Sequence, residues 1–308
     1  MTTHHTQKQL HANKKHTKLG KLGAYLGAVY ASDKSYQAVD VGLTFDKKFV
    51  SAQAHQFAKE LLGKRIYGAC TLAQKILPTK MLVHWSDEVY DKVATWTHNW
   101  ALLRLQKDER FANLANLTRQ ERDEFVDDII NQNRTWLSLG GAFGVFGLKG
   151  VVLESAWLLV MLLRTVYELA YIYGVDVSGK DGVRTAHAVV ASVDETLIGQ
   201  KQILLTTLTI GRMVLKNAQT TGLANELLAL STNPLTKQYG DYLDEVLGWF
   251  DMEKSDLDKF NSAWLYHLCS VASVGASVHY NNQIFENVVG VAKATFGQVG
   301  EIKLLENA

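Results

Sequence analysis

Four side chains in the central and C-terminal parts of the chain have the types that acid–base chemistry needs: Glu154, Arg164, Glu168 and His279. A carboxylate and an imidazole can trade protons near neutral pH while an arginine holds an anionic group. Gathered around one interhelical pocket, they would support a hydrolase-type reaction. Their spacing rules out the simplest version. Glu154 and Glu168 stand fourteen positions apart, about 21 Å along a helix, whereas paired carboxylates in glycoside chemistry work within roughly 10 Å. Glu154 therefore needs a partner from another helix, such as His279 or Lys149. The plainer reading of Glu154 is a buried or rim carboxylate satisfied by hydrogen bonds. For His279 it is a satisfied core histidine.

Other chemistries leave no trace. There is no Gly-x-Ser-x-Gly elbow, no His-Glu-x-x-His, no P-loop and no dinucleotide fingerprint preceded by a strand. His55, His84, His98, His187 and His267 show no ligand spacing, so neither a metal nor a cofactor is expected. Cys70 and Cys269 read as buried thiols in apolar stretches, consistent with a reducing compartment. The balance favours a protein that is not an enzyme.

The element that must position these residues is the stretch Ser138–Asp176. It opens with Gly140, Gly141, Gly144, Gly147 and Gly150, continues as an apolar run to Tyr173, and stops at Gly174. The run is long enough for a membrane span, yet it contains Glu154, Arg164 and Glu168, each costing about 2.5–3.5 kcal/mol at a bilayer centre. At ~100° per residue, Glu154, Thr165 and Glu168 share one side with Arg164 at its edge; Leu158, Leu159, Leu162, Leu163, Val166, Leu169 and Ala170 share the other. The spacing predicts an amphipathic core helix, with Arg164 and Glu168 paired at i,i+4 on its polar edge. The glycines either let two helices approach closely or form a lipid-facing hairpin. In the second case Gly140, Gly141, Gly144, Gly147, Lys149 and Gly150 are the candidate membrane contacts.

Around this stretch the chain reads as successive helices. Its 308 residues, 47% apolar and 20% charged, fit a globular domain. The expected fold class is all-α, a multi-helix bundle with a central glycine-rich helical hairpin, and residues 33–308 form one domain. Helices are expected over 45–62, 64–77, from Ser86 through Leu103, from a capping box at Thr118–Glu121 through Asn133, over 183–193, over 195–217, from Asn233 and Pro234 to Phe250, and from Ser255 through Phe296. Val89, Val93, Trp96, Trp100 and Leu103 recur at helical spacing and read as a core stripe.

The net charge of +1 hides an uneven distribution. Residues 1–32 carry Lys8, Lys14, Lys15, Lys18 and Lys21, four histidines and no acid. This composition predicts a disordered tail, with Lys14, Lys15, Lys18 and Lys21 as candidate contacts to anionic lipid. Within it, Leu19–Ser32 imitates a signal peptide, but its three glycines suit a small-residue helix or loop leading into the domain. Nucleic-acid binding is disfavoured by acids at Asp87, Glu88, Asp123, Glu124, Asp127 and Asp128.

Two blocks carry a resemblance. Gly147-Leu148-Lys149-Gly150 leads through Arg164 to Tyr173-Gly174-Val175-Asp176, and Val274–Tyr280 continues to Ala292 and Phe296. Together they resemble the bacterial EcsC family, mainly over residues 130–300. That family's pattern has Asp, an apolar residue and Pro where this chain has Glu154-Ser155-Ala156, and Asn where it has His279. The resemblance implies an all-α accessory protein on the cytoplasmic side, peripheral to the inner membrane and linked to transport or secretion. Its implied partners are anionic membrane lipid or a membrane protein complex, and it carries no defined reaction.

Overall fold

The structure is a computed structural model that describes residues 18–31, 34–39, 87–177, 180–221 and 262–306. It is all-α. Eight α-helices and no strand occur among the described residues: α1 Lys18–Tyr30, α2 Asp87–Leu105, the single turn α3 Glu109–Ala112, α4 Arg119–Gly140, α5 Gly147–Ile172, α6 Lys180–Ala191, α7 Glu195–Thr221 and α8 Ser262–Glu306. The helices expected over 45–62 and 64–77 and from Asn233 to Phe250, together with Cys70, lie outside the described residues.

The axis of the bundle is α5. Leu158, Leu159, Met161, Leu162, Leu163, Val166, Tyr167, Leu169 and Ala170 are fully buried, and α2, α4, α6, α7 and α8 pack around them. The predicted polar edge of α5 is buried too: Glu154, Ser155, Thr165 and Glu168 have no exposed surface and Arg164 only 3%. The wheel grouped these residues correctly, but other helices cover that side instead of solvent. Gly150–Ile172 is long and apolar enough to cross a membrane by length and composition, and most of it is buried inside the protein. The helix ends where expected, with Tyr173 as its cap and Gly174 at φ +76°, the left-handed region that favours glycine.

On α2 the expected core stripe is inverted. Trp96 and Leu103 are 56% and 59% exposed and Trp100 is half-buried, while Tyr90, Ala94, Thr97, Ala101 and Leu105 face the interior. Both stripes have helical spacing, so periodicity alone cannot choose between them. The small residues win the inside because Ala94, Thr97 and Ala101 let α2 lie close to α5, and the large rings are left on the rim.

The capping box forms as read. Thr118 Oγ1 accepts from the Glu121 amide at 3.3 Å, and Glu121 Oε2 accepts from the Thr118 amide at 2.9 Å. Phe125, Ile129 and Ile130 are buried, and α4 runs past Asn133 to Gly140. Thr118→Ala is expected to cost about 0.5–2 kcal/mol, measured as a shift in the urea midpoint at unchanged slope.

Within residues 1–32, positions 18–30 are folded as α1. Gly23 meets α4 so closely that a Cβ there would fall 1.7 Å from the Asn131 carbonyl oxygen, and Thr135 Oγ1 donates to the Leu19 carbonyl at 2.6 Å. The glycines of the lead-in segment therefore serve helix–helix contact. A 3₁₀ helix, Gly141–Phe146, joins α4 to α5. Here a Cβ on Gly150 would stand 1.8 Å from the Phe143 carbonyl oxygen. The last helix, α8, spans 45 residues, about 68 Å, and lies against α7, α5, α4 and the 3₁₀ segment.

Candidate functional site

Two features stand out from the packed core: an apolar face turned to solvent and a set of charged side chains turned inward.

The outward face begins with the rejected stripe of α2. Trp96 stacks on Trp100 with ring centroids 5.4 Å apart, and Trp100 lies 6.4 Å from Trp157 of α5. Trp157 Nε1 donates to the backbone carbonyl of Trp136 on α4 at 2.9 Å, and the Trp136 side chain is itself 42% exposed. Leu103, Leu139 and Leu153 stand one or two turns from these rings on the same three helices and are each more than half exposed. At the end of α4 the 3₁₀ segment adds Val145 and Phe146, the latter 66% exposed. Helix α1 contributes a further stripe, with Leu19, Leu22, Tyr25 and Val29 turned outward while Gly23 faces α4. Isolated exposed apolar residues are ordinary, whereas large contiguous groups of them mark interaction surfaces in proteins generally.

Among these inward charges, the groups around Glu168 and around Glu154 differ in their degree of satisfaction. Glu168 is saturated. Its Oε1 accepts from Arg104 Nη1 at 2.8 Å and Arg164 Nε at 3.0 Å, and its Oε2 accepts from Asn133 Nδ2 at 2.6 Å. The Arg164 guanidinium also lies 4.0 Å over the Trp100 ring. Burial lowers the Arg164 pKa, and the Glu168 carboxylate works against that. Every strong group here has a partner, which is the signature of a structural network.

Glu154 is different. Its Oε1 forms an ion pair with Lys201 Nζ of α7 at 2.8 Å and accepts from Asn281 Nδ2 of α8. All three side chains have no exposed surface. Desolvation lowers the Lys201 pKa, opposed by the Glu154 carboxylate. Glu154 Oε2, Asn281 Oδ1 and Ser277 Oγ have no hydrogen-bond partner among the described residues.

Arg212, eleven positions after Lys201 and on the same side of α7, closes the other end of this helix onto the turn. It donates to the carbonyls of Gly144 at 3.0 Å and Val145 at 2.7 Å, and to Tyr266 Oη at 3.1 Å. The 3₁₀ segment that presents Val145 and Phe146 is thus held from inside by a buried guanidinium.

The candidate acid–base residues do not converge. Arg164 and Glu168 meet each other, Glu154 meets Lys201 and Asn281, and His279 is exposed on α8, where its Nε2 faces Gln283 Nε2 at 3.1 Å. The pocket that a hydrolase-type reading needs is not formed by these four. Gly140, Gly141, Gly144 and Gly150 are buried against Trp157, Val278, Ser273 and Phe143, so what they touch is protein. The side-chain surroundings of Gly147 and Lys149 are not described. Lys21 is exposed on α1 and Lys18 begins that helix; Lys14 and Lys15 lie outside the described residues. No group of three or more His, Cys, Asp or Glu that could hold a metal occurs among the described residues. Cys269 is a free cysteine whose thiol pKa is raised by burial.

Lys201 and Asn281 were missed by the sequence reading. The available signal was a lysine and an asparagine at positions that the helical period assigns to the interior of otherwise apolar helices. Comparison of the chain with family models, with curated proteins and with solved structures finds no match.

Proposed function

We propose that this protein is a helical accessory protein that docks peripherally on an anionic membrane surface through its tryptophan-rich face. The observation that carries this reading is the run of exposed apolar side chains across α2, α4, α5 and the 3₁₀ turn: Trp96, Leu103, Trp136, Leu139, Phe146 and Leu153. Tryptophan is the side chain best suited to the headgroup region, because its ring is apolar and its N–H is polar. Helix α1 carries an outward apolar stripe of its own, and the lysines at 8, 14, 15, 18 and 21 supply charge complementary to anionic lipid, about 1 kcal/mol for each that reaches the surface. Amphipathic surface helices with a basic flank bind membranes by this combination of apolar burial and electrostatic attraction. The EcsC-like blocks, the cytoplasmic location and the link to transport or secretion belong to the same proposal and rest on the sequence alone.

Flotation of the full chain with phosphatidylcholine vesicles, with and without phosphatidylglycerol, tests it. The protein is expected to float with the anionic vesicles at low salt, with a blue shift of tryptophan emission, and to lose much of that binding as salt rises. The variant Trp96→Ser, Trp136→Ser, Phe146→Ser is expected to weaken binding about tenfold or more, since burial of a large apolar side chain contributes about 1.5–3 kcal/mol. Circular dichroism of the variant checks that the helices persist. Wild-type protein that stays with the unbound fraction at low salt removes the proposal.

A further inference from the structure

We infer that the junction of α5, α7 and α8 is an internal binding site for hydroxyl groups, taking water or the O–H groups of a small polyol between Glu154, Lys201, Ser277 and Asn281. Independent of the membrane reading, it rests on the unmet hydrogen-bonding capacity at that junction. The Asn281 amide nitrogen faces Glu154 Oε1; turning the amide over would set its oxygen against a carboxylate oxygen, so its Oδ1 must point elsewhere. Glu154 Oε2 belongs to the same carboxylate, so the two unpartnered acceptors lie within a few ångströms of one contact. Lys201 carries three N–H donors, and among the described residues its ion pair is with Glu154 Oε1. Ser277 stands one turn before Asn281 on the same side of α8. Its unpartnered Oγ lies where the 3₁₀ turn places a glycine, 3.5 Å from where a Cβ on Gly144 would stand.

The chemistry of these groups selects the ligand. Two unmet acceptors, one hydroxyl and an ammonium call for a molecule that both donates and accepts. A cation gains little, because Lys201 already neutralises Glu154, and an anion would meet the carboxylate. An O–H group satisfies both sides, and buried waters in proteins sit in polar spots with two to four such partners. Glu168, fourteen residues along the same helix, offers no such site because three donors saturate it.

Nuclear magnetic resonance of the full ¹⁵N-labelled chain reads the site directly. The Asn281 side-chain amide and the Lys201 ammonium are expected to show cross-relaxation with long-lived water, and Ser277→Ala is expected to weaken or abolish those cross-peaks while the backbone spectrum is kept. Titration with glycerol separates the two sources. A saturable shift of the Asn281 side-chain amide assigns a polyol site, and persistence of the water cross-peaks without saturation assigns water. Absence of both water cross-peaks and saturation in the wild-type protein overturns the inference.

Discussion

Replacing Glu168 with leucine is expected to remove about 3–5 kcal/mol of folding stability, the cost of breaking a buried ion pair from one side. The size follows from what the carboxylate holds. Arg164 is 3% exposed and Asn133 fully buried, so neither can turn to water when their acceptor disappears. Arg104, with 21% of its side chain exposed, can re-solvate and limits the loss. Burial already lowers the Arg164 pKa against the pull of Glu168; without the carboxylate, burial and the neighbouring Arg104 charge act unopposed. A protein of ordinary stability, about 5–15 kcal/mol, would lose a large share of it. Glu168→Gln keeps an acceptor oxygen but sets an amide among three donors, and is expected to fall between wild type and leucine. Guanidinium denaturation followed by tryptophan fluorescence measures both, and Trp100, lying under the Arg164 guanidinium, makes the probe local as well as global. A change below about 1 kcal/mol for Glu168→Leu would mean that the network contributes little, as exposed ion pairs do.

The parts of this fold that were legible in the sequence are those fixed by local chemistry. The Thr118–Glu121 box needs four consecutive residues, and the stop at Gly174 needs one residue that tolerates positive φ. Both formed as read. The all-helical class followed from periodicity sustained over long stretches. What stayed hidden required knowing which helix lies against which. Two stripes on α2 had equal helical spacing, and only the close approach to α5 puts the alanines inside and the tryptophans outside. The wheel of α5 separated polar from apolar residues, but could not say that α4 and α2 would bring Asn133 and Arg104 to the polar side. For the same reason Glu154 was noticed and its partners were not. Lys201 and Asn281 lie 47 and 127 residues further on, and no pattern at that separation names a contact.

Lys201→Met is the second large effect. It removes the charge that neutralises Glu154 and leaves a fully buried carboxylate with Asn281 as its one donor among the described residues, again at an expected cost of about 3–5 kcal/mol. Adding Glu154→Gln should return part of the loss, because the amide carbonyl can still accept from Asn281 and no buried charge remains. A coupling of about 0.5–3 kcal/mol between the two substitutions is the expected result of the double-mutant cycle. The pH dependence supplies an independent check. Burial lowers the Lys201 pKa, so between that value and the ordinary lysine value the unfolded chain holds a proton that the folded chain has released. Raising the pH through this window therefore favours the folded state. The buried tyrosines Tyr90 and Tyr167, whose pKa values burial raises, act in the opposite sense once the unfolded chain's tyrosines ionise. They are common to both proteins, so the difference in unfolding free energy between wild type and the double variant isolates the pair. That difference should move in favour of the wild type as the pH rises toward the lysine range. A difference flat with pH, together with simple additivity of the two substitutions, would mean that α7 is not held to α5 by this contact.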